Sequence, residues 1–207
     1  EHPEETHDVN VNGTMRLLLA ARDHNVKRVI FATSSSVYGN DKPIVLSEDM
    51  PKNPQSPYAL HKLIGQEYCR LFSELYGIET VALCYFNIYG PHLDPDGAYA
   101  LVIGKFLKQR KEGLPMTICG DGEYYRDYTH VKDCVDANVR AMTSDRAGKG
   151  EMINIGNNRP ISVNQLAQMI GGQTANIPSR LGDVRYSQAN IRRAEALVTL
   201  GRCGLAP

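Results

Sequence analysis

The chain has 207 residues, 42% of them hydrophobic and 22% charged, with 23 basic side chains against 23 acidic. That size and balance suit a globular protein of one large or two small domains with a real core, and zero formal charge argues against nucleic acid or an anionic membrane as main partner. The longest strongly apolar run, Leu17 to Ala21, is far too short to span a bilayer, and the five Cys and six His are scattered without ligand spacing, which predicts reduced thiols, no metal and a cytoplasmic protein.

The start, Glu1-His2-Pro3-Glu4-Glu5, is acidic and unlike a signal peptide, and without an initiator Met it reads as a processed chain or a fragment. Apolar residues at Val11, Met15, Leu18 and Leu19 predict a helix over Asp8 to Asn25. A short buried strand follows over Lys27 to Thr33, ending in Ser34-Ser35-Ser36. Tyr38 to Pro57 is rich in Gly, Asn, Asp and Pro and reads as a loop. Ser56 suits an N-cap and Pro57 the first helical position, so a helix starts there and stops at Gly77. Its apolar stripe is taken as Leu60, Leu63, Ile64, Tyr68, Leu71, Phe72 and Leu75. Thr80 to Phe86 is the next strand.

Beyond the polar loop Pro91 to Gly97, helices are predicted over Ala98 to Lys111, Val131 to Ser144, from a Ser162 cap to Ile170, and over Asn190 to Leu200. Strands are predicted at Met116 to Cys119 and Glu151 to Ile155. Strands alternating with helices imply a parallel, doubly wound α/β sheet.

Tyr-x-x-x-Lys occurs three times, at Tyr38/Lys42, Tyr58/Lys62 and Tyr128/Lys132. Only Tyr58 and Lys62 fall within one capped helix, where i, i+4 side chains share a face. An ammonium beside a phenol favours the phenolate and lowers its pKa from about 10, which suits a general base. The serine run ends the preceding strand. Hydroxyls, phenol and ammonium together make a proton-transfer site.

Further segments extend the pattern: Asn10-Val11-Asn12-Gly13-Thr14, Ser34-Ser35-Ser36-Val37-Tyr38-Gly39, Ser56-Pro57-Tyr58-Ala59-Leu60-His61-Lys62 and Tyr85-Phe86-Asn87-Ile88-Tyr89-Gly90-Pro91. Asp94 to Tyr99, Gly120-Asp121-Gly122, Arg126-Asp127-Tyr128 and Arg180-Leu181-Gly182-Asp183 come after them. In this order and spacing they resemble the extended short-chain dehydrogenase/reductase family, and within it the NAD-dependent nucleotide-sugar 4-epimerases.

The resemblance implies a partial Rossmann-like sheet over residues 1–90, with a smaller α/β nucleotide-sugar region over 91–207 from which 123–160 returns to the sheet. It implies Tyr58 as acid/base on the sugar 4-hydroxyl, Ser34 as its hydrogen-bond partner, and Lys62 on the nicotinamide ribose. It puts Tyr85 and Asn10 with the cofactor, Ser36 on the sugar, Asn87, Arg126 and Arg180 on the diphosphate, and Asp183 near the uridine ribose. Hydroxyls at Ser35 and Ser36, where family dehydratases carry an Asp-Glu pair and decarboxylases a Glu, disfavour those reactions. Ser187, where a Tyr would restrict the pocket to plain hexoses, leans the substrate to UDP-GlcNAc/UDP-GalNAc, perhaps with UDP-Glc/UDP-Gal.

The chain departs from the pattern in lacking a Gly-x-x-Gly-x-x-Gly turn, where the pyrophosphate of the dinucleotide would bind. Weak or absent NAD binding by this chain is therefore expected, and a cofactor-free homologue that binds nucleotide-sugar or a partner subunit is the competing reading. Cys84 and His61 also depart from the usual Arg and small residue. A homo-oligomer is expected through the helices at Asp8–Asn25 and Pro57–Tyr76.

Overall fold

The structure, a computed structural model, describes residues 2–40, 45–97, 101–179 and 184–199. Helix α1 (Pro3–His7) has Pro3 where a missing N–H is harmless and Glu4 and Glu5 in its first turn, where the helix dipole favours acids. It runs through a π-turn, Asp8–Asn12, into α2 (Gly13–Asp23). The helical segment thus starts five residues before the expected Asp8. Strand β1 (Arg28–Ser34), a 3-10 turn over Ser35–Tyr38 and the short β2 (Val45–Leu46) follow.

Helix α3 (Pro57–Tyr76) has the expected ends. Ser56 Oγ accepts the Ala59 N–H at 3.2 Å, and Gly77 closes the helix at φ 70°. Then come β3 (Glu79–Tyr85), β4 (Ile88–Tyr89), α4 (Val102–Lys111), β5 (Met116–Cys119), β6 (Tyr125–Arg126) and β7 (Thr129–His130). The chain continues through α5 (Val131–Thr143), β8 (Lys149–Ile155), β9 (Ile161–Ser162), α6 (Val163–Ile170), β10 (Thr174–Ile177), β11 (Tyr186–Ala189) and α7 (Arg192–Leu197). The short strands β2, β4, β6, β7, β9, β10 and β11 have no counterpart in the sequence pattern. A two-residue strand is too brief to show a period.

The principal sheet is parallel, in the order β1-β3-β8, with Ser34 level with Tyr85 and Tyr85 with Ile155. Val29 and Phe31 pack with Leu18 of α2 and Cys69 and Phe72 of α3. Ile30 packs on the opposite side, with Ala137 and Ala141 of α5. The sheet is therefore covered by helices on both faces, as its near-continuous apolar strands require. A second core, with Phe106, Met116, Ile118, Tyr128 and Leu166, holds α4, β5 and α6 together.

The apolar stripe expected on α3 needs correction. Leu60, Leu71 and Leu75 are exposed, whereas Ala59, His61, Gly65, Gln66, Cys69 and Phe72 are buried. The cause is Gly65. A Cβ there would overlap the Phe31 ring, so its absence lets the helix settle on the sheet along the Gly65 side. Small and polar residues thereby take the buried face, and three leucines are turned to solvent.

The expected loop between Tyr38 and Pro57 is tied down by a buried polar network. Tyr38 Oη donates to Asn154 Oδ1 (2.8 Å), Asn154 Nδ2 to the Leu46 carbonyl (3.0 Å), and the Asn154 N–H to Glu48 Oε1 (2.9 Å). Lys52 Nζ donates to the carbonyls of Glu48 and Met50, 4.6 Å above the Tyr38 ring. Burial raises the Glu48 carboxyl above its ordinary 4.5. The folded state then holds that proton more tightly than the unfolded chain, so the Glu48 contribution to stability falls as pH rises through this window. Urea unfolding of wild type and Glu48→Gln checks this. The wild-type-minus-variant difference should decline as pH rises above the ordinary carboxylate range, and a rising difference refutes the assignment.

Candidate active site

The carboxyl ends of β1 and β3 open into a cavity of about 710 Å³. Ser34 terminates β1 and caps the 3-10 turn. Its Oγ accepts from the Ser36 N–H at 3.3 Å and from Ser36 Oγ at 3.0 Å. With its oxygen loaded by two donors, Ser34 has its own proton to offer into the cavity. Tyr58 and Lys62, one turn apart on α3, also line it. Lys62 Nζ donates to the Ala32 carbonyl at 3.0 Å and lies 5.8 Å from the centre of the Tyr58 ring. Burial holds the Lys62 ammonium below its usual pKa. No carboxylate pairs with it among the described residues, so its remaining donors suit hydroxyl groups of a ligand.

Tyr85 lines the cavity from the end of β3. Burial raises its phenol to about 12. Asn87 follows at φ 35°, a conformation that Asn tolerates better than most residues. Its Nδ2 donates to the Asp127 carbonyl at 2.9 Å, which ties the β3 exit to the segment after β6. Arg126 and Ser187 stand side by side, since β6 and β11 pair in parallel with these two residues in register. Both line the cavity, and Ser187 is 8% exposed.

A second cavity, of about 200 Å³, shares Asn87, Leu101 and Arg126 with the first. Its far wall includes Thr117, Cys119, Tyr124 and Tyr128. Leu101 precedes α4 without a side-chain cap for that helix, and Leu101, Asn87 and Arg126 line both cavities where they meet. That junction favours an anion. The combined shape suits a molecule with a hydroxyl-rich end, an anionic middle and a flat, partly apolar end.

Of the residues read from the sequence, Tyr58, Lys62, Ser34, Ser36, Tyr85, Asn87, Arg126 and Ser187 come together at this cavity. Asn10 does not. It lies in the π-turn, where its carbonyl accepts the Thr14 hydroxyl at 2.7 Å. Arg180 and Asp183 fall outside the described residues.

Sequence reasoning gave no role to Asp127, Tyr128 or Leu101. Asp127 is fully buried, and its carboxylate accepts the N–H groups of Asn157 (2.9 Å), Asn158 (3.0 Å) and Ala189 (2.9 Å). Burial nevertheless raises its pKa. Tyr128 is 1% exposed, and its hydroxyl has no partner among the described residues. Arg126-Asp127-Tyr128 was visible as a motif, but the partners of Asp127 lie at least 30 positions away, so nothing local marked it.

Comparison with known proteins agrees with this geometry. The putative UDP-glucose 4-epimerase of Methanocaldococcus jannaschii is 36% identical over 95% of the chain, which spans 65% of that relative's length. A UDP-N-acetylglucosamine 4-epimerase from Methanobrevibacter ruminantium, solved with UDP-N-acetylmuramic acid, superposes with TM-score 0.88 at 34% identity over 94% of this chain and 64% of its own. A UDP-glucose 4-epimerase from Thermotoga maritima, solved with UDP-glucose, gives 0.89 at 33% identity over 97% and 66%. The model of the NAD dependent epimerase/dehydratase family matches residues 1–156, a stretch that holds Ser34, the Tyr58–Lys62 pair, Asn87 and Arg126. The chain belongs to that family.

Proposed function

We propose that the chain forms the acid–base and substrate-holding part of an NAD-dependent UDP-sugar 4-epimerase. The observation that carries this reading is the convergence of Tyr58, Lys62 and Ser34 at one end of a continuous cavity and of Asn87 and Arg126 at the junction. The unpaired Lys62 ammonium, with Tyr85 beside it, fits the nicotinamide-ribose end of the cofactor. The sequence offers no glycine turn for its pyrophosphate. When bound, NAD would accept a hydride from the sugar C4 and return it to the other face of the ring.

Tyr58 takes the 4-hydroxyl proton and gives it back. Ser34 donates to the same oxygen and keeps it in line. Lys62 sustains the phenolate by its charge. Asn87, Arg126 and the α4 N-terminus hold the diphosphate, so the sugar can turn while the nucleotide stays fixed. Arg180 and Asp183 join them by resemblance. Residues 1–90 serve the cofactor side, with the strand returned from 123–160, and 91–207 mainly serve the nucleotide-sugar. The buried Ser187 favours N-acetylhexosamines, since its small side chain leaves room that a Tyr would fill. Leu60 and Leu71 on α3, with Val9 and Leu17 on the preceding helix, leave apolar side chains in solvent, and we assign these faces to a homo-oligomer.

Calorimetry tests the reading. UDP-GlcNAc should bind, and NAD⁺ should bind weakly if at all. Failure to bind any UDP-sugar would sink it. Binding and turnover of UDP-glucose with rejection of UDP-GlcNAc would sink only the Ser187 assignment. Sugar-nucleotide binding with no turnover in added NAD⁺ would favour the second reading, a binding homologue without catalysis. Light scattering on the same sample should give more than the 23.0 kDa of one chain.

A further inference from the structure

Tyr85 ends β3 and lines the same cavity as Lys62. Behind it stands Asn138 of α5, whose Nδ2 lies 2.6 Å from Tyr85 Oη and 2.7 Å from the Cys134 carbonyl oxygen, one turn back. A backbone carbonyl can only accept, so the group facing Cys134 must be the amide NH₂ and not the amide oxygen. The two-fold ambiguity of most Asn side chains is thus removed here. The NH₂ has two protons. One goes to Cys134 and the other to Tyr85.

Tyr85 Oη is therefore an acceptor toward Asn138. A phenol has a single proton, and with Asn138 on the acceptor side that proton must point elsewhere. No described residue receives it. Poorly solvated hydroxyls are seldom left without an acceptor. The direction still open is the cavity that Tyr85 lines.

We propose that Asn138 is a positioning residue that turns the Tyr85 hydroxyl into a hydrogen-bond donor aimed into the cavity, toward a carbonyl-type oxygen of the ligand seated beside Lys62. On the function proposed above, that oxygen belongs to the carboxamide at the nicotinamide end of NAD. Asn138 touches neither substrate nor cofactor. It acts by deciding which way a neighbour's proton points. With Asn138 reversed or removed, Tyr85 could satisfy itself on its own scaffold and offer the ligand a lone pair instead of a proton.

The test needs no ligand at first. Difluorotyrosine placed at position 85 titrates at a pH the protein tolerates, and its fluorine resonance reports the phenolate. An Asn138 NH₂ that donates to the phenol oxygen stabilises the phenolate, so Asn138→Leu should move the midpoint up by about one unit. Asn138→Asp keeps the side-chain shape but cannot donate, and should move the midpoint up further. A downward shift in Asn138→Leu would show that Asn138 accepts the phenol proton. No shift in either variant would show that the bond is absent. Either result overturns the proposal.

NAD⁺ titration supplies the second arm. Tyr85→Phe and Asn138→Leu should each weaken NAD⁺ binding by about five- to ten-fold, and the double variant no further, with UDP-GlcNAc affinity unchanged. Additive losses overturn the proposal, because they mean the two residues act separately. If the midpoint shift holds while wild type binds NAD⁺ and neither variant weakens that binding, the cofactor role of Tyr85 fails and the hold of Asn138 on Tyr85 stands.

Discussion

Tyr58→Phe is expected to slow C4 epimerisation by about 10²- to 10⁴-fold. Its affinity for the UDP-sugar should stay within about two-fold of wild type. The variant removes one oxygen and leaves the ring. The ring packs beside the Lys62 ammonium, and the helix it sits on is anchored elsewhere, by the Ser56 cap and the seat of Gly65 on Phe31. On the function proposed above, what disappears is the group that takes and returns the 4-hydroxyl proton. Ser34 remains but cannot replace it, since a serine hydroxyl is a far weaker base than a phenolate. Conversion of UDP-GlcNAc to UDP-GalNAc, followed by chromatography with NAD⁺ supplied, gives the rate, and calorimetry gives the affinity. A variant as fast as wild type would remove Tyr58 from the chemistry. Equal losses of rate and affinity would make it a substrate grip instead.

Asp127→Ala is expected to reduce stability by about 3 kcal/mol or more. Its carboxylate accepts three backbone N–H groups, from Asn157, Asn158 and Ala189, in a fully buried position. Truncation leaves those donors without a partner, at about 1 to 3 kcal/mol for each buried group. Relief of the buried charge offsets part of this, which is why the lower end of the sum is taken. Against a total of about 5 to 15 kcal/mol for a typical domain, the loss is large. Urea unfolding followed by circular dichroism measures it. Asp127→Asn, which keeps one acceptor oxygen and turns an NH₂ toward the other donors, should fall between wild type and Ala. A loss under about 1 kcal/mol in the Ala variant would mean that water or another acceptor takes over the three groups. The same variant should loosen the substrate cavity, because Asn87 and Ser187 are both bonded to the Asp127 backbone.

Most of this architecture could be read from residue order. Ser56 with Pro57, Gly77, and Ser162 are local signals whose effect is completed within a turn, and the helices they bound appear where the sequence places them. The parallel sheet followed from the alternation of strands with helices. The candidate site was legible for a related reason: Ser34 and Tyr58 sit at element ends, and only a 3-10 turn and the two-residue β2 lie between β1 and α3. What escaped detection depends on distant partners. Asp127 matters through residues at 157, 158 and 189, and Glu48 through Asn154. The error on α3 had a single source. Periodicity counts leucines as buried, whereas Gly65 against Phe31 decided which side of the helix lies on the sheet. The two- and four-residue strands that align Arg126 with Ser187 are too short to show a clear period.

Gly65 has a mechanical consequence. Helix α3 is fixed beyond Gly65 by Cys69 and Phe72 in the core and by the Thr80 hydroxyl, which donates to the Cys69 carbonyl at 2.7 Å, and Tyr58 and Lys62 sit on the arm that reaches from Gly65 back to the cavity. A methyl group inserted at residue 65 would act as a wedge, lifting the arm and swinging phenol and ammonium together away from Ser34 on the sheet below. The distance between proton donor and proton acceptor across this cleft thus depends on the side chain that Gly65 lacks, about two helical turns along α3 from Tyr58, where the Phe31 ring takes the room a Cβ would need.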